Sequence, residues 1–206
     1  LALQGAWGGG GSVDPGSGIV DLGGSFGPTA GLWKRSGNGT LRVSGVLDLA
    51  GQTLVLDAAT GGWSAAGGTL RNGTLDLRDG VVLTAQGNAL LENLTVKGIL
   101  TGVPFDRFRL KGGLTLDGTL RLPSSSLDIV DSLTLDGGTT VFSASGGFGV
   151  ITVPAEVTFT LGPNAVLSGG AGFVQGDGSV RNRGTLRADL NGQSLTLRTR
   201  TLEHLG

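Results

Sequence analysis

The interval 102–113, "GVPFDRFRLKGG", holds the densest group of residues able to contact a ligand. Aromatic faces stack on sugar rings and on cations, and arginines form paired hydrogen bonds with carboxylates. Phe105, Arg107, Phe108 and Arg109 are therefore candidate ligand contacts on a loop or a bulged strand. The alternative is an ordinary strand in which both phenylalanines fill the core and both arginines face solvent. The alternation Arg-Phe-Arg-Leu-Lys favours this alternative, because successive strand side chains point to opposite faces.

The carboxylates and the single histidine are poorly placed for catalysis. Acid–base chemistry on polysaccharides needs clustered carboxylates, and a catalytic triad or a zinc site needs histidine or cysteine. Asp76, Asp117 and Asp136 occupy strand or corner positions of repeated phrases, His204 is the only histidine, and Cys is absent. We therefore predict no catalytic residue, no metal site and no cofactor, in a chain that is not an enzyme. A carbohydrate-binding or polysaccharide-degrading module centred on 102–113 is the alternative function.

Threonines occupy the middle of several repeated strand phrases. These residues are Thr95, Thr115, Thr134, Thr158 and Thr196. We expect several of them to stack in an outward column. Regular threonine ranks on a flat solenoid face are a feature of ice-binding proteins, so ice binding is a third candidate function. A ladder that only stabilises the sheet is the favoured interpretation, because Thr suits strands and equivalent positions also hold Arg42 and Asp76.

Three tryptophans, Trp7, Trp33 and Trp63, lie in Gly-rich surroundings. Exposed aromatic rings of this kind can serve as carbohydrate platforms. The favoured interpretation is that they pack in the core or at one end of the fold.

Short phrases recur along the chain at a nearly fixed interval. "GTLRVSGVLDL" at 39–49, "GGTLRNGTLDL" at 67–77 and "GSVRNRGTLRA" at 178–188 share one frame of glycine, small polar residue, aliphatic residue and arginine. Related strand phrases begin at Leu75, Leu94, Leu114 and Leu133, so the period is about 20 residues. A fixed period in this range is typical of a solenoid, in which each repeat forms one structural layer.

Composition agrees with one ordered, continuous domain over 1–206. Gly accounts for 41 of 206 residues, but aliphatic runs separate the glycines and 38% of the residues are hydrophobic, which disfavours disorder. The net charge of −1 and the lack of a basic stripe disfavour nucleic-acid binding. No apolar run in the sequence is long enough to cross a bilayer as a helix, so no membrane span is predicted.

The repeated phrases predict an all-β fold made of stacked coils. Phrases such as "LTLDG" alternate apolar and polar residues and end on glycine, as expected of a half-buried strand followed by a corner. Coils that all run the same way round must pair in parallel, and parallel crossovers are strongly right-handed. We therefore predict one right-handed parallel β-helix with about 20 residues per coil. Gly73 and Gly118 are predicted corners. The predicted inward residues are Leu41, Leu70, Leu75, Leu94, Leu114, Leu116, Leu133, Leu135, Leu186 and Leu195.

The segments "GDGSVRNRGTLRADLNGQSLTL" at 176–197 and "FTLGPNAVLSGGAGFVQGDGSVRNRGTL" at 159–186 carry a family resemblance. They resemble the repeats of large bacterial secreted surface proteins of the filamentous-haemagglutinin and autotransporter-passenger class. The resemblance covers the chain from about Trp33 onward. It implies a structural or adhesive extracellular segment at the bacterial cell surface, forming a stiff rod, a filament or a surface layer. Surface glycans are an implied partner.

The two ends of the sequence lead to an expectation about partners. The chain opens at Leu1 without a Met and stops at "TLEHLG", just after a strand phrase. Terminal β-coils present unpaired backbone groups that recruit further strands. We expect a segment of a longer protein whose neighbouring coils, or head-to-tail copies, cover both ends. Head-to-tail contacts do not close, so copies would grow into a filament.

Overall fold

A computed structural model describes residues 1–28, 32–143 and 147–205 of the chain. Within these ranges the chain forms strands and no helix, and hence no helix long and apolar enough to cross a membrane. The strands are β1 Ala2–Leu3, β2 Ser12–Val13, β3 Ile19–Leu22, β4 Ser25–Phe26, β5 Leu32–Trp33, β6 Thr40–Val43, β7 Val46–Asp48, β8 Thr53–Leu56, β9 Trp63–Ala66, β10 Thr69–Leu77, β11 Val82–Gln86, β12 Ala89–Gly102, β13 Arg107–Pro123, β14 Ser126–Ile129, β15 Leu133–Asp136, β16 Thr139–Ser143, β17 Gly149–Thr152, β18 Thr158–Leu161, β19 Val166–Gly169, β20 Gly172–Asn182, β21 Thr185–Arg187 and β22 Leu195–His204.

The strands stack as a parallel β-solenoid of about nine turns of roughly 21 residues. Each strand pairing in the described ranges is parallel, as the predicted all-β coil requires. Parallel pairing arises because every turn passes each face of the solenoid in the same direction. The predicted fold class is confirmed, and the right-handed sense of the coil stays a prediction.

Stacked aliphatic side chains form the interior. One column places Leu47, Leu70, Leu91, Leu110 and Ile129 directly above one another in five successive turns. None of these side chains is more than 1% exposed. Burying a leucine fully contributes about 1.5–3 kcal/mol, so columns of this kind supply the main driving force for folding. The buried hydrophobic residues from Val20 to Val180, apart from Ala171, belong to a single cluster.

The inward register predicted from the repeats is correct. Eight of the ten named leucines, from Leu41 to Leu135, are buried. Leu186 and Leu195 also pack against the core, but they are only half-buried.

Gly73 and Gly118 lie where a long strand passes from one partner strand to the next, as expected of corners, but neither glycine ends its strand. Gly73 lies inside β10 and Gly118 inside β13, because the backbone hydrogen-bond ladder continues past both positions. Next to Gly73 the chain turns at Asn72, which adopts a left-handed φ of 59°. Both positions require glycine because the backbone of the neighbouring turn leaves no room for a side chain. A Cβ on Gly73 would lie 2.5 Å from the backbone oxygen of Gln52, and one on Gly118 would overlap the backbone oxygen of Gly98.

A column of alternating charge runs along the outside of the same turns. Asp48, Arg71, Glu92 and Lys111 occupy successive registered positions. Arg71 Nε lies 2.8 Å from Asp48 Oδ2, and Lys111 Nζ lies 2.8 Å from Glu92 Oε1. The hydrogen bond from Lys111 to Glu92 raises the pKa of the lysine. A slip by one residue would place every inward side chain outside and separate these partners, so the column helps to specify the register.

The tryptophans pack in the core and at one end, as the favoured interpretation predicts. Trp7 stacks on Phe26 with ring centres 4.4 Å apart, and Trp33 contacts Trp63 edge-on at 4.7 Å. Trp63 is 2% exposed, while Trp7 and Trp33 are half-buried. The indole of Trp7 donates a hydrogen bond to the backbone oxygen of Gly23 at 2.8 Å. The rings therefore close the first turns of the solenoid as one aromatic cluster.

Candidate functional site

Phe105 lies at the corner between β12 and β13 and points into solvent. Its side chain is 86% exposed, and its backbone adopts a left-handed φ of 63°. Its N–H donates a hydrogen bond to the backbone oxygen of Ser124 at 3.0 Å, which ties the corner to the next turn. The expectation that Phe105 fills the core is wrong, because the residue precedes the alternating strand and belongs to the turn.

Phe108, which follows inside the strand, has the opposite environment. It is 0% exposed within β13, so its candidate role as a ligand contact is wrong. Arg107 and Arg109 flank it on the outer face of the strand. Arg107 Nη1 lies 3.4 Å from Asp128 Oδ2, and Arg109 Nε donates to the backbone oxygen of Asn88 at 3.1 Å. Three of the four candidate contacts therefore share an outer surface, and the fourth supports it from the core.

Two further phenylalanines join Phe105 on this surface. Phe148 is 59% exposed, and its ring centre lies 5.1 Å from that of the half-buried Phe173 at an angle of 62°. A Cβ on Gly147 would lie 3.8 Å from Phe105 Cε1, so the ring of Phe105 adjoins the backbone beside Phe148. Phe105, Phe148 and Phe173 thus lie on one side of the solenoid, and the turn that contains Ser126 separates the turn of Phe105 from that of Phe148. We call these three rings, together with Arg107 and Arg198, the aromatic ridge.

Arg198 supplies the cation at the other end of the ridge. The central guanidinium carbon lies 5.5 Å from the centre of the Phe173 ring, within the range of a cation–π interaction. In the described part of the chain Arg198 forms no ion pair. The guanidinium is therefore held by an aromatic face and not by a carboxylate.

The sequence did not indicate that these residues meet. Arg107, Ser126, Val150 and Phe173 are successive partners in one column, and the chain between them is longer at the second and third steps than at the first. Extrapolating a constant repeat length along the sequence therefore does not predict that Phe173 stacks in the column of Arg107. The lengths of chain between successive glycine-bounded strand phrases would have been the signal to follow.

A second surface is a shallow groove of about 740 Å³ lined by hydroxyl groups. We call it the hydroxyl groove; its lining includes Thr95, Thr115, Thr134, Thr158, Thr160 and Asp136. Gly112 and Gly113, which carry no side chains, also line it. Such a surface can donate and accept hydrogen bonds, but its lining residues include no aromatic ring and a single carboxylate, that of Asp136.

The predicted threonine column exists in part. Thr95 and Thr115 stack directly, and the column extends backward through Thr74 and Thr53. The other three predicted members lie elsewhere: Thr134 pairs with Thr160, Thr158 with Ser179, and Thr196 with Phe173. Thr134 misses the column because the residue that stacks on Thr115 is Asp136, two residues further along. The turns that follow are longer, which shifts Thr158 and Thr196 as well.

The column beside the threonines disfavours ice binding. Its outward residues are Val55, Asp76, Lys97 and Asp117, in register with one another. A second threonine rank is therefore missing, and charged side chains stand in its place. The threonines remain well suited to stabilising the sheet.

The acidic residues considered for catalysis do not converge. Lys97 lies between Asp76 and Asp117 in their column, and Asp136 aligns with Thr115. Arg78 Nη2 lies 2.6 Å from Asp76 Oδ2, and this hydrogen bond lowers the pKa of Asp76. Within residues 1–28, 32–143 and 147–205, no three His, Cys, Asp or Glu side chains are placed to hold a metal ion.

The single histidine has a structural contact. His204 Nδ1 lies 2.7 Å from Nδ2 of Asn182, whose side chain is 0% exposed. The N–H of Gly184 donates to Oδ1 of the same asparagine at 3.1 Å. These bonds satisfy a buried amide that would otherwise cost free energy.

The fold defines the chain as a parallel β-solenoid. Comparison with protein-family models, with curated proteins and with solved structures finds no match to the chain. The resemblance to secreted bacterial surface proteins therefore stays a prediction from the repeats.

Proposed function

We propose that this chain is a structural and adhesive segment of a bacterial extracellular protein. It acts as a stiff rod that carries a contact surface away from the cell. The observation that carries the proposal is the stack of about nine turns around one leucine-rich core. Such a stack extends in one dimension, since each turn contacts only its neighbours.

Stiffness follows from the way the turns are joined. Parallel ladders link every turn to the next, and alternating charges resist slippage between them. At about 4.8 Å per turn, nine turns extend over roughly 43 Å. The aromatic ridge supports the adhesive part of the proposal, because it exposes rings that the core does not need.

Neighbouring coils of the same long chain, or head-to-tail copies, are the structural partners that this proposal favours. Any stack of parallel β-coils presents unpaired backbone donors and acceptors along its first and last turns. Sedimentation velocity over a wide concentration range tests this part. Association that grows with concentration supports head-to-tail contact, whereas a monomer at every concentration contradicts it.

Small-angle X-ray scattering and a bead-adhesion assay test the main proposal together. We expect an elongated particle, and we expect beads coated with the protein to adhere to bacterial or host cell surfaces. A Leu91→Asp variant places a carboxylate in the core and is the unfolded control. A compact, isotropic particle would contradict the rod, and adhesion no greater than that of the control would contradict the adhesive role.

Localisation is tested in the source cells. An antibody raised against the chain should label intact cells if the segment is displayed outside the cell. Labelling that appears only after the cells are permeabilised would exclude an extracellular location.

A further inference from the structure

We propose that the aromatic ridge is a binding site for a carboxylated glycan, with the phenyl rings stacking on sugar faces and the arginines pairing with uronate-type carboxylates. The inference rests on the proposed adhesive function, and it names the surface and the ligand class. The ridge differs from the 102–113 interval, since its rings come from separate turns and one of its arginines lies in the last strand.

The exposure of Phe105 is unfavourable for the protein alone. Burial of a phenylalanine side chain stabilises a fold by about 1.5–3 kcal/mol. The exposed ring of Phe105 gains little of this free energy. A left-handed backbone costs a residue other than glycine roughly 1–2 kcal/mol more. Bulky residues in such conformations occur mainly where the surrounding structure or a ligand requires them. Phe148 adds a second exposed ring two turns away.

The charges next to the rings select an acidic ligand. Arg107, Arg109 and Arg198 all lie on the outer face that carries Phe173. Two carboxylates lie beside these arginines. Asp128 pairs with Arg107, and Asp106, between Phe105 and Arg107, accepts hydrogen bonds from the N–H groups of Gly87 and Arg107. The outer face therefore carries three arginines against two carboxylates, a small local excess of positive charge, although the whole chain has a net charge of −1.

Polar side chains beside the rings suit a sugar in particular. Ser126 and Thr196 lie in the same registered column as Phe173, and Thr152 and Gln175 lie in the adjacent one. Ligand sites that combine apolar faces with a few placed hydrogen-bonding groups match the alternating apolar faces and hydroxyl rims of sugar rings.

Two other occupants fit less well. A folded protein partner needs an interface of about 800 Å² on each side, whereas the ridge is a single line of rings. Nucleic acid needs a broad basic surface because phosphate contacts dominate its affinity, and the arginines of the ridge are few. A narrow, flexible polymer with carboxylates therefore fits best.

The test uses immobilised polymers and the folded segment in surface plasmon resonance. The carboxylated glycans are alginate, hyaluronan and polysialic acid; dextran is the neutral glycan, and poly-glutamate supplies carboxylates without sugar rings. We expect binding to at least one carboxylated glycan that weakens as salt rises, with at least tenfold weaker binding to dextran and to poly-glutamate. Binding to none of the carboxylated glycans, or equal binding to dextran or poly-glutamate, overturns the proposal.

Variants assign the binding to the ridge. Phe105→Asn keeps a residue that accepts left-handed backbone and removes the ring, and Phe148→Ala removes a second exposed ring. Each should weaken binding by about tenfold, and Arg198→Gln by about fivefold with a smaller salt dependence. Val130→Ala and Arg121→Gln are the matched apolar and charge controls on exposed residues outside the ridge. Ridge variants that bind as tightly as the controls would overturn the assignment.

The two proposals fail in different ways. If glycan binding is absent while the particle is elongated and coated beads still adhere, the ridge assignment is wrong and the adhesive rod stands. If the wild-type segment is neither elongated nor adherent, the proposed function itself is wrong.

Discussion

The turns formed by 46–123 stack at nearly constant intervals along the chain, whereas those formed by 124–182 differ in length. In the first region Thr53, Thr74, Thr95 and Thr115 follow one another at almost equal spacing. In the second region Leu133 pairs with Phe159, and Phe142 with Gly169, each across a distinctly longer stretch of chain. We call the two parts the regular and the irregular region.

Strand length differs in the same way. The regular region contains β12 of 14 residues and β13 of 17, which continue around the corners of the solenoid. In the irregular region the strands β14 to β19 have four or five residues each, and its longest strand, β20, has 11. Long strands leave few residues for corners, so their side chains enter the core or an outer ladder. Longer turns contain more residues outside the strands. One of these residues is Phe148, whose ring is exposed to solvent beside Phe105 and Phe173. The regular region is therefore the more uniform stack, and the irregular region supplies Phe148 and Phe173 to the aromatic ridge.

The largest expected effect comes from the leucine core of the regular region. Leu116 is 3% exposed, so Leu116→Asp buries an unpaired carboxylate and should prevent stable folding. Leu116→Ala should remain folded and lose about 2–5 kcal/mol of unfolding free energy in urea titration. Ile151→Ala, at a site 0% exposed, makes the matching change in the irregular region. Similar losses of unfolding free energy in the two alanine variants would mean that both regions unfold together. A much smaller loss in Ile151→Ala would mean that the two regions unfold separately. Unchanged stability of Leu116→Asp would contradict the inward register.

The next largest effect tests the close approach of neighbouring turns. A Cβ on Gly118 would overlap the backbone of Gly98, so Gly118→Ala should force the turns apart and cost about 1–3 kcal/mol. Gly8→Ala is the control, since a Cβ there meets nothing within 4 Å. Thermal unfolding of the two variants measures the difference. Equal melting temperatures would show that the regular stacking tolerates a wider spacing.

A smaller effect of opposite sign is expected at the ridge. Phe105→Asn should raise the unfolding free energy by roughly 1 kcal/mol, because asparagine accepts the left-handed conformation more readily and exposes less apolar surface. Differential scanning calorimetry measures the gain. A loss of stability would show that the ring contributes to folding, and it would remove the argument that the ridge is maintained for a ligand.

The smallest effect is a pH dependence of the charge column in the regular region. The N–H of Ala50 and the side chains of Arg71 and Asn72 hold the pKa of Asp48 below its ordinary value. Because the folded-state pKa is the lower one, the ionised carboxylate stabilises the fold above about pH 3.9. This contribution is lost as the pH falls through the folded-state pKa.

Urea titrations at a series of pH values measure this effect. Asp48→Asn should be less stable than the native chain at pH 7, by less than about 1 kcal/mol, and the difference should shrink toward pH 2. High salt should reduce the difference without abolishing it, because the bond from the Ala50 N–H persists. A difference that stays constant from pH 7 to pH 2 would contradict the stabilising role of the ionised carboxylate.

Local patterns in the sequence determined much of the fold. Two-residue alternation identified inward leucines such as Leu75, Leu94 and Leu114, because a side chain's face depends only on its place within its own strand. Recurring glycine-bounded phrases indicated stacked coils, because each phrase contains one strand and the corner that follows it. Each of these inferences concerns residues close together in the chain.

Only the tertiary structure decided which residues of different turns meet. The stretch of chain between stacked partners is short from Phe108 to Leu127 and much longer from Phe142 to Gly169. A constant period therefore could not bring Phe173 beside Phe148. The repeated phrase also misplaced Thr134 in the threonine column, because Thr115 stacks on Asp136. Gly73 and Gly118 show the same limit, since the backbone that excludes a side chain there belongs to the adjacent turn. The alternation within a strand is local, whereas the surface of a solenoid depends on the length of every intervening corner.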